Sequence, residues 1–251
     1  LVGPGYHLRV ENAEYVHAYP MENPSVNYKT DTAIDKAYLY DSYRSERFKA
    51  DELQGVLTGT DRYRRARYFD EVYAHFDNGG NDQAVFADTK NNDLFEARNG
   101  LAKLSSGKLV RQVEGDFSKV TAWARAGLSR GVDELRLTGS MGNDTLRVLA
   151  SKTEIYDTPE NYRIIGRLFE KLYVDVGAQG FDRAFVWGTA GDERVEAQAT
   201  NRHVKIYDIN GVDPRLLAEL LRFDHVRITG NGGSDEADPA PGTFPWLEIL
   251  P

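Results

Sequence analysis

Apolar and polar residues alternate in short runs along most of this chain. Val72, Ala74 and Phe76 occupy every second position of one run, and Ala84 and Phe86 repeat the pattern after a Gly-rich turn. A period of two, interrupted by Gly and Asn-Gly, is typical of strands with one buried face. The pattern therefore predicts a mainly β protein built of many short strands.

Three sequence landmarks recur at a spacing close to fifty residues. Successive copies of the second landmark are 47, 51 and 49 residues apart, and a fixed period of this size is typical of stacked repeats. The first landmark is "AEYVHA" from Ala13, "FDEVYA" from Phe69, "FSKVTA" from Phe117, "FEKLYV" from Phe169 and "FDHVRI" from Phe223. The second is "DKAYL" from Asp35, "DQAVF" from Asp82, "DELRL" from Asp133, "DRAFV" from Asp182 and "DEADP" from Asp235. The third is "ERFKA" from Glu46, "DLFEA" from Asp93, "DTLRV" from Asp144 and "DERVEA" from Asp192.

The repeat predicts a β-solenoid, similar to a parallel β-helix, of four to five units. Five or six strands per unit fit two coils of a three-sided solenoid, each of about 25 residues, stacked ~4.8 Å apart. We expect one domain over 1–251, with repeats over 13–235. The segment 236–251 is rich in Pro and apolar residues, which fits a cap over the open end of the core; the alternative is a linker.

Two segments have a helical spacing of apolar residues. In "DTPENYRIIGRLFEKL" from Asp157, Thr158 is a candidate N-cap and Pro159 suits the first helical position. "DPRLLAELL" from Asp213 has a similar pattern over two turns. The sequence therefore predicts one or two short helices inserted among the strands.

The landmarks resemble a repeat of very large secreted proteins of aquatic bacteria. The best matches are "FDEVYAHFDNGGNDQAVF" from Phe69 and "AYLYDS" from Ala37, and the resemblance extends over roughly residues 13 to 235. The copy at Asp144 departs from the pattern, with Thr138-Gly139 in place of Asp-Ser, and the copy at Asp235 runs into prolines. The resemblance implies an extracellular or cell-surface module and no particular activity.

The composition of the chain excludes some kinds of reactive or metal site and disfavours some partners. The chain has 251 residues, a net charge of −8 and no Cys, so disulfides, thiolate nucleophiles and Cys-ligated metals are excluded. The acidic balance disfavours nucleic acid as a partner. No apolar run approaches the roughly 20 residues of a membrane helix.

Repeated aspartates at the turns are the sharpest candidates for a site. "SMGNDTLRVL" from Ser140 resembles a calcium β-roll motif, but its counterparts return once per fifty residues rather than every nine, which excludes a β-roll. Carboxylates beside Asn and Gly still suit calcium. The alternative is that each Asp bonds local backbone donors in a tight turn. The candidate calcium ligands are Asp82, Asp93, Asp133, Asp144, Asp182 and Asp192.

These observations support two functional hypotheses. The first is a non-catalytic structural module, which would be a rigid spacer, an adhesin segment or a subunit that self-associates into fibres. The second is a polysaccharide-binding protein, or a lyase or epimerase that acts on polysaccharides. Residues that could serve the second are the Arg-rich stretch "RYRRARY" at 62–68, the tyrosines Tyr38, Tyr40, Tyr73 and Tyr173, and the arginines Arg47, Arg98, Arg147 and Arg194.

Overall fold

Strands make up nearly all of the regular structure. The computed structural model describes residues 2–3, 6–7, 14–19, 34–124, 131–157, 162–210, 214–233, 235–238 and 243–250. Apart from a 3-10 turn at Thr200–Arg202, every regular element in these ranges is a β-strand. The prediction of a β-solenoid is confirmed.

The strands, numbered in chain order, form two facing sheets with the apolar core between them. The thirteen-stranded sheet contains β1 (Val2–Gly3), β2 (Tyr6–His7), β4 (Lys36–Tyr40), β8 (Glu71–Phe76), β10 (Leu94–Arg98), β11 (Leu101–Ser106), β12 (Leu109–Gly115), β14 (Glu134–Thr138), β18 (Lys171–Asp175), β20 (Glu193–Gln198), β21 (His203–Asp208), β22 (Arg215–Leu221) and β24 (Glu236–Asp238). The twelve-stranded sheet contains β3 (Tyr15–Ala18), β5 (Arg47–Ala50), β6 (Gln54–Thr58), β7 (Tyr63–Arg67), β9 (Gln83–Ala87), β13 (Lys119–Trp123), β15 (Thr145–Leu149), β16 (Lys152–Asp157), β17 (Tyr162–Arg167), β19 (Arg183–Trp187), β23 (His225–Thr229) and β25 (Leu247–Leu250).

Each fifty-residue unit contributes five strands. In the second unit, β8 lies in the thirteen-stranded sheet, β9 crosses to the other sheet, and β10 crosses back. There β10, β11 and β12 form an antiparallel meander, which lies between two coils of the solenoid. All contacts between successive units are parallel, as between β9 and β13.

The unit crosses the core three times, which is an odd number, so successive units are inverted. The meander β5–β7 lies in the twelve-stranded sheet, β10–β12 in the thirteen-stranded sheet, and β15–β17 in the twelve-stranded sheet again. The prediction of a three-sided solenoid with coils of about 25 residues is therefore wrong. The solenoid has two sides, and residues paired in parallel are 35 residues apart for Lys36 and Glu71 and 46 apart for Leu172 and Ala218.

Both predicted helices are wrong where the structure describes them. Residues 162–167 form β17, paired on one side with β13 and on the other with β16, and residues 215–221 form β22. Ile164 lies in the core and Arg163 is exposed, which is the alternation of a strand. Ladder hydrogen bonds on both sides outweigh a local helical preference. The start of each segment, at 158–161 and 211–213, lies outside the described residues.

The last strand continues the twelve-stranded sheet. β25 pairs in parallel with β23, and Leu247 is buried. Phe244 and Trp246 pack against the core with their ring centroids 5.2 Å apart. These contacts place residues 243–250 on the core end of the solenoid.

Candidate functional site

A short turn before each third-landmark strand combines a hydroxyl residue with an acid four positions later. The hydroxyl residue donates its backbone N–H to that carboxylate, at 2.6 Å from Thr89 to Asp93 and 2.7 Å from Ser140 to Asp144. The other copies are Ser42 with Glu46 and Thr189 with Glu193. The fourth equivalent acid is thus Glu193, and the predicted Asp192 lies one residue away from it.

Second-landmark acids bind the same turns from the next coil. Asp133 Oδ1 accepts the backbone N–H of Asp93 at 2.8 Å, and Asp182 Oδ1 accepts that of Asp144 at 2.8 Å. Asp82 binds Glu46 N–H at 2.6 Å in the same way. These bonds join successive coils into what we call the carboxylate ladder, which explains the recurrence of five of the six candidate aspartates.

The six candidates do not converge on one site. Asp82, Asp144 and Asp182 precede strands of the twelve-stranded sheet, whereas Asp93 and Asp133 precede strands of the other sheet. The two groups therefore occupy opposite lateral edges of the solenoid. Each edge has a row of turns rather than a shared centre.

Burial raises the pKa of four carboxyl groups of the ladder. Desolvation raises the pKa of Asp82 and of Asp133 to about 6 and that of Asp182 to about 7, against the backbone hydrogen bonds that favour the charged form. Asp144 is shifted in the same direction by the same cause. The buried Oδ2 atoms of Asp82 and Asp133 have no hydrogen-bond partner in the described part of the chain.

One group of three acids has a spacing compatible with a metal ion. Asp88, Asp93 and Asp133 are buried, and one carboxylate oxygen of each lies within 4.8 Å of the others. Asp88 was missed in the sequence because it has no Asp counterpart in the third and fourth units, which have Gly139 and Gly188. We call these three residues the Asp88 group. Calcium binding by the predicted aspartates, of which Asp93 and Asp133 belong to this group, stays a prediction.

The outer surface of the twelve-stranded sheet is strongly basic; we call it the basic face. Its outward residues alternate with buried ones, as Arg47 and Lys49 alternate with Phe48 and Ala50. Two carboxylates, Glu154 and Glu248, lie on this face within the described ranges. The outward cations are Arg47, Lys49, Arg65, Arg67, Lys119, Arg147, Lys152, Arg163, Arg167, Arg183 and Arg227.

The outer surface of the thirteen-stranded sheet, which we call the opposite face, has a more even balance of positive and negative charges. Its outward charged residues in the described strands are seven cations and nine carboxylates. The cations are Lys36, Arg98, Lys103, Arg136, Lys171, Arg194 and Lys205, and the carboxylates are Glu71, Glu96, Glu114, Glu134, Asp175, Glu196, Glu219, Glu236 and Asp238. A chain of net charge −8 thus concentrates positive charge on one sheet surface.

Aromatic side chains interleave with the cations of the basic face. The Arg167 guanidinium lies 4.7 Å from the Trp123 ring, and Trp123 and Trp187 are 44% and 40% exposed. No carboxylate in the described ranges forms an ion pair with Lys119 or Arg183. Several cations of this face are therefore available to an external anion.

The Arg-rich stretch 62–68 is divided between two environments. Arg65 and Arg67 lie on the basic face, and Arg65 donates to Gln54. Arg64 points the other way and donates to the carbonyl of Tyr40 at 2.8 Å. The stretch is one edge of the basic face rather than a separate site.

Other predicted polysaccharide residues lie elsewhere. Tyr38 and Tyr73 stack on each other at 5.2 Å on the opposite face, and Tyr40 stacks on His75 at 4.8 Å, so a neighbouring ring covers one face of each. Tyr173 lies on that face too. Of the four arginines, Arg47 and Arg147 are on the basic face, and Arg98 and Arg194 on the other. These four cannot form one catalytic site.

A buried arginine was missed in the sequence. Arg111 is 1% exposed and points inward from β12, opposite Val72. Its guanidinium donates to the carbonyls of Asp51, Glu52 and Asp70 at 3.0–3.1 Å. Burial lowers the pKa of Arg111 to about 10, which leaves it charged at neutral pH.

Comparison of the chain with protein-family models, curated proteins and solved structures finds no match. In the described part of the chain no helix has the length and apolar character needed to cross a membrane. The arguments for function therefore start from the geometry of this chain.

Proposed function

We propose that this chain is a non-catalytic module of an extracellular or cell-surface protein, and that its basic face binds an acidic polysaccharide. The observation that carries the proposal is the charge separation between the two sheet surfaces. Eleven cations and two carboxylates on one sheet surface attract a polyanion.

A polysaccharide fits this surface better than a nucleic acid does. The cations are spread over strands ~4.8 Å apart, a spaced array that suits an extended chain with one anion per sugar. Duplex DNA has a charge about every 1.7 Å and would face repulsion from the acidic remainder of the protein. Exposed Trp123 and Trp187 offer apolar ring faces on which a sugar can pack.

The solenoid gives the module rigidity. Continuous parallel ladders connect successive units, and the carboxylate ladder adds a side-chain bond at each turn. A rigid body that presents one charged surface along its length supports a role as a spacer or adhesin segment.

Charge reversal on each face tests the proposal. A triple variant with Lys119→Glu, Arg147→Glu and Arg183→Glu changes the basic face, and the matched control with Arg98→Glu, Arg136→Glu and Lys171→Glu changes the opposite face. We expect the first to weaken binding to polygalacturonate at least ~10-fold and the control to leave it nearly unchanged. Calorimetric titrations at several salt concentrations would measure this.

Three results would contradict the proposal. They are equal losses in both variants, no binding of polygalacturonate at low salt, and tighter binding of single-stranded DNA than of the polysaccharide. Absorbance from unsaturated sugar ends in the same mixtures would show that the module is an enzyme instead. Circular dichroism of each variant verifies that the fold is retained.

A further inference from the structure

A cavity of about 710 Å³ lies between the two sheets in the C-terminal half. Its walls come from strands β15 to β25 of both sheets and from the turns between them. Binding sites for small molecules typically have volumes of ~300–1,000 Å³ and mainly apolar walls. This cavity has the dimensions of such a site, and Glu170 at its wall also accepts the backbone N–H of Asp133.

The cavity exists because core side chains shrink along the chain. The first inward residue of the third-landmark strand is Phe48, then Phe95, then Leu146, and finally Val195. At a second position the residues are Leu39, Phe86, Leu137 and Val186, so this position has its smallest side chain in the fourth unit. Val186 and Val195 both line the cavity. The same backbone unit thus encloses a filled core in the N-terminal half and open space in the C-terminal half.

The walls are apolar with a few carboxylates. Val186, Ile206 and Ile228 lie in the apolar part, whereas Glu170 and Glu193 also line the cavity. Lys152, the cation at the wall, is paired with Glu154. Carboxylates accept hydrogen bonds and donate none when ionised, so a ligand here must have a donor group.

A half-exposed apolar side chain lies at the opening. Leu168, in the turn after β17, lines the cavity and is 39% exposed. Leu149 and Trp187 end β15 and β19 at the same wall, and their side chains point outward to the basic face, opposite to Val148 and Val186. Leu168 adopts a left-handed backbone conformation with φ of 64°, which is uncommon for a Leu and holds this corner in a fixed turn. Large apolar side chains exposed at the mouth of a cavity are a common feature of ligand entry sites.

We propose that this cavity binds a small amphiphile with an apolar chain and a hydroxyl or amino head group. The chain would occupy the space beside Val186 and Val195, and the head would donate hydrogen bonds to Glu170 or Glu193. A carboxylate head would meet the like charge of these residues and bind more weakly.

Trp187 provides an intrinsic probe for the test. Its fluorescence would be followed during titration with decylamine, decanol and decanoate, each below the concentration at which it forms micelles. We expect saturable binding of decylamine and decanol, with decanoate at least ~10-fold weaker. The signal should be lost in Trp187→Phe while calorimetry still detects binding.

Variants that fill the cavity distinguish a binding site from a packing defect. Val195→Phe restores the residue of the first two units, and Val186→Leu restores that of the preceding unit in case the larger change prevents folding. We expect either variant to fold with an equal or higher unfolding temperature and to lose decylamine binding. Saturation by none of the three probes, equal binding in a folded filled variant, or equal affinity for decanoate would overturn the proposal. These outcomes are independent of polygalacturonate binding.

Discussion

At the scale of single residues, the recurring aspartates are explained by hydrogen bonds between coils. Asp82, Asp133 and Asp182 each accept a backbone N–H from the turn of the preceding coil. The recurrence could be predicted from the sequence, and so could the turns. Which backbone group each carboxylate binds could not, because that partner lies 36 to 40 residues earlier in the chain.

The raised pKa of these acids predicts that stability falls as the pH rises. Asp182, with a pKa of about 7 when folded and near 3.8 when unfolded, holds a proton in the folded state between these values that the unfolded chain has released. The free energy of unfolding therefore decreases from about pH 4 to about pH 7 and then levels off. Asp182→Asn keeps the acceptor for Asp144 N–H without the charge, so the difference between urea midpoints at pH 5 and pH 8 should shrink.

The control for this prediction is Glu248→Gln. Arg227 lowers the pKa of Glu248, so its charge is constant between pH 5 and pH 8 and the variant should keep the wild-type pH dependence. An Asp182→Asn variant with an unchanged pH dependence would show that this carboxyl is not protonated in the folded protein.

Calcium at the Asp88 group predicts a second effect on stability. An ion bound by Asp93 and Asp133 in the folded state raises the unfolding temperature by mass action, and a chelator lowers it. Protons compete for the same oxygens, so the increase should be larger at pH 8 than at pH 5. Identical melting curves with calcium and with chelator would remove calcium from this protein's chemistry.

Arg111 shows how one side chain fixes a turn from within the core. Replacing it with Met would remove three hydrogen bonds from a charged donor to the carbonyls of Asp51, Glu52 and Asp70, of which Asp70 O would keep the N–H of Val110. Hydrogen bonds to charged groups contribute ~1.5–3 kcal/mol each, so we expect Arg111→Met to lower the free energy of unfolding by about 3 kcal/mol or more. Exposed Arg98→Met, measured in the same urea titration, should change it by less than ~0.5 kcal/mol. Equal small effects would contradict this account.

At the scale of strands, the alternation of apolar residues predicted the buried faces well. Val72, Val120, Leu172 and Val226 are all buried, as their shared position in the first landmark indicates. Each of them pairs with a residue of the second landmark, as Val120 does with Ala84 and Leu172 with Leu135. First-landmark strands therefore stack on second-landmark strands, which follows from the inversion of successive units.

A pair of substitutions tests this register. Val120 is fully buried between two parallel strands, so Val120→Asp places a charge in the core and should cost about 4 kcal/mol or more. Arg183 lies outward on β19, and Arg183→Asp should cost less than ~1 kcal/mol. Similar urea midpoints for the two variants would be incompatible with this register.

At the scale of the whole molecule, the inversion of units creates the two charged surfaces. Outward residues of the third landmark are Arg47 and Lys49 in the first unit and Arg147 in the third, but Glu96 in the second unit. Basic copies alternate with an acidic copy in the second unit and a balanced copy in the fourth, which has Arg194 and Glu196, and inversion collects the basic copies on one sheet. The alternation is present in the sequence. Which sheet each copy joins depends on how many times a unit crosses the core, and the periodicity of the strands does not specify that number.

Opposite charge on the two faces predicts salt-dependent association between copies. The basic face of one molecule attracts the opposite face of another, where carboxylates outnumber cations, and this attraction is screened as ionic strength rises. We expect light scattering to detect concentration-dependent association in ~20 mM salt and monomers in ~500 mM salt, where the Debye length is a few Å. The triple variant of the basic face should remain monomeric in both. Association that persists in high salt or in that variant would indicate contact through the strand edges instead, since backbone pairing at an edge does not depend on the charges of either face.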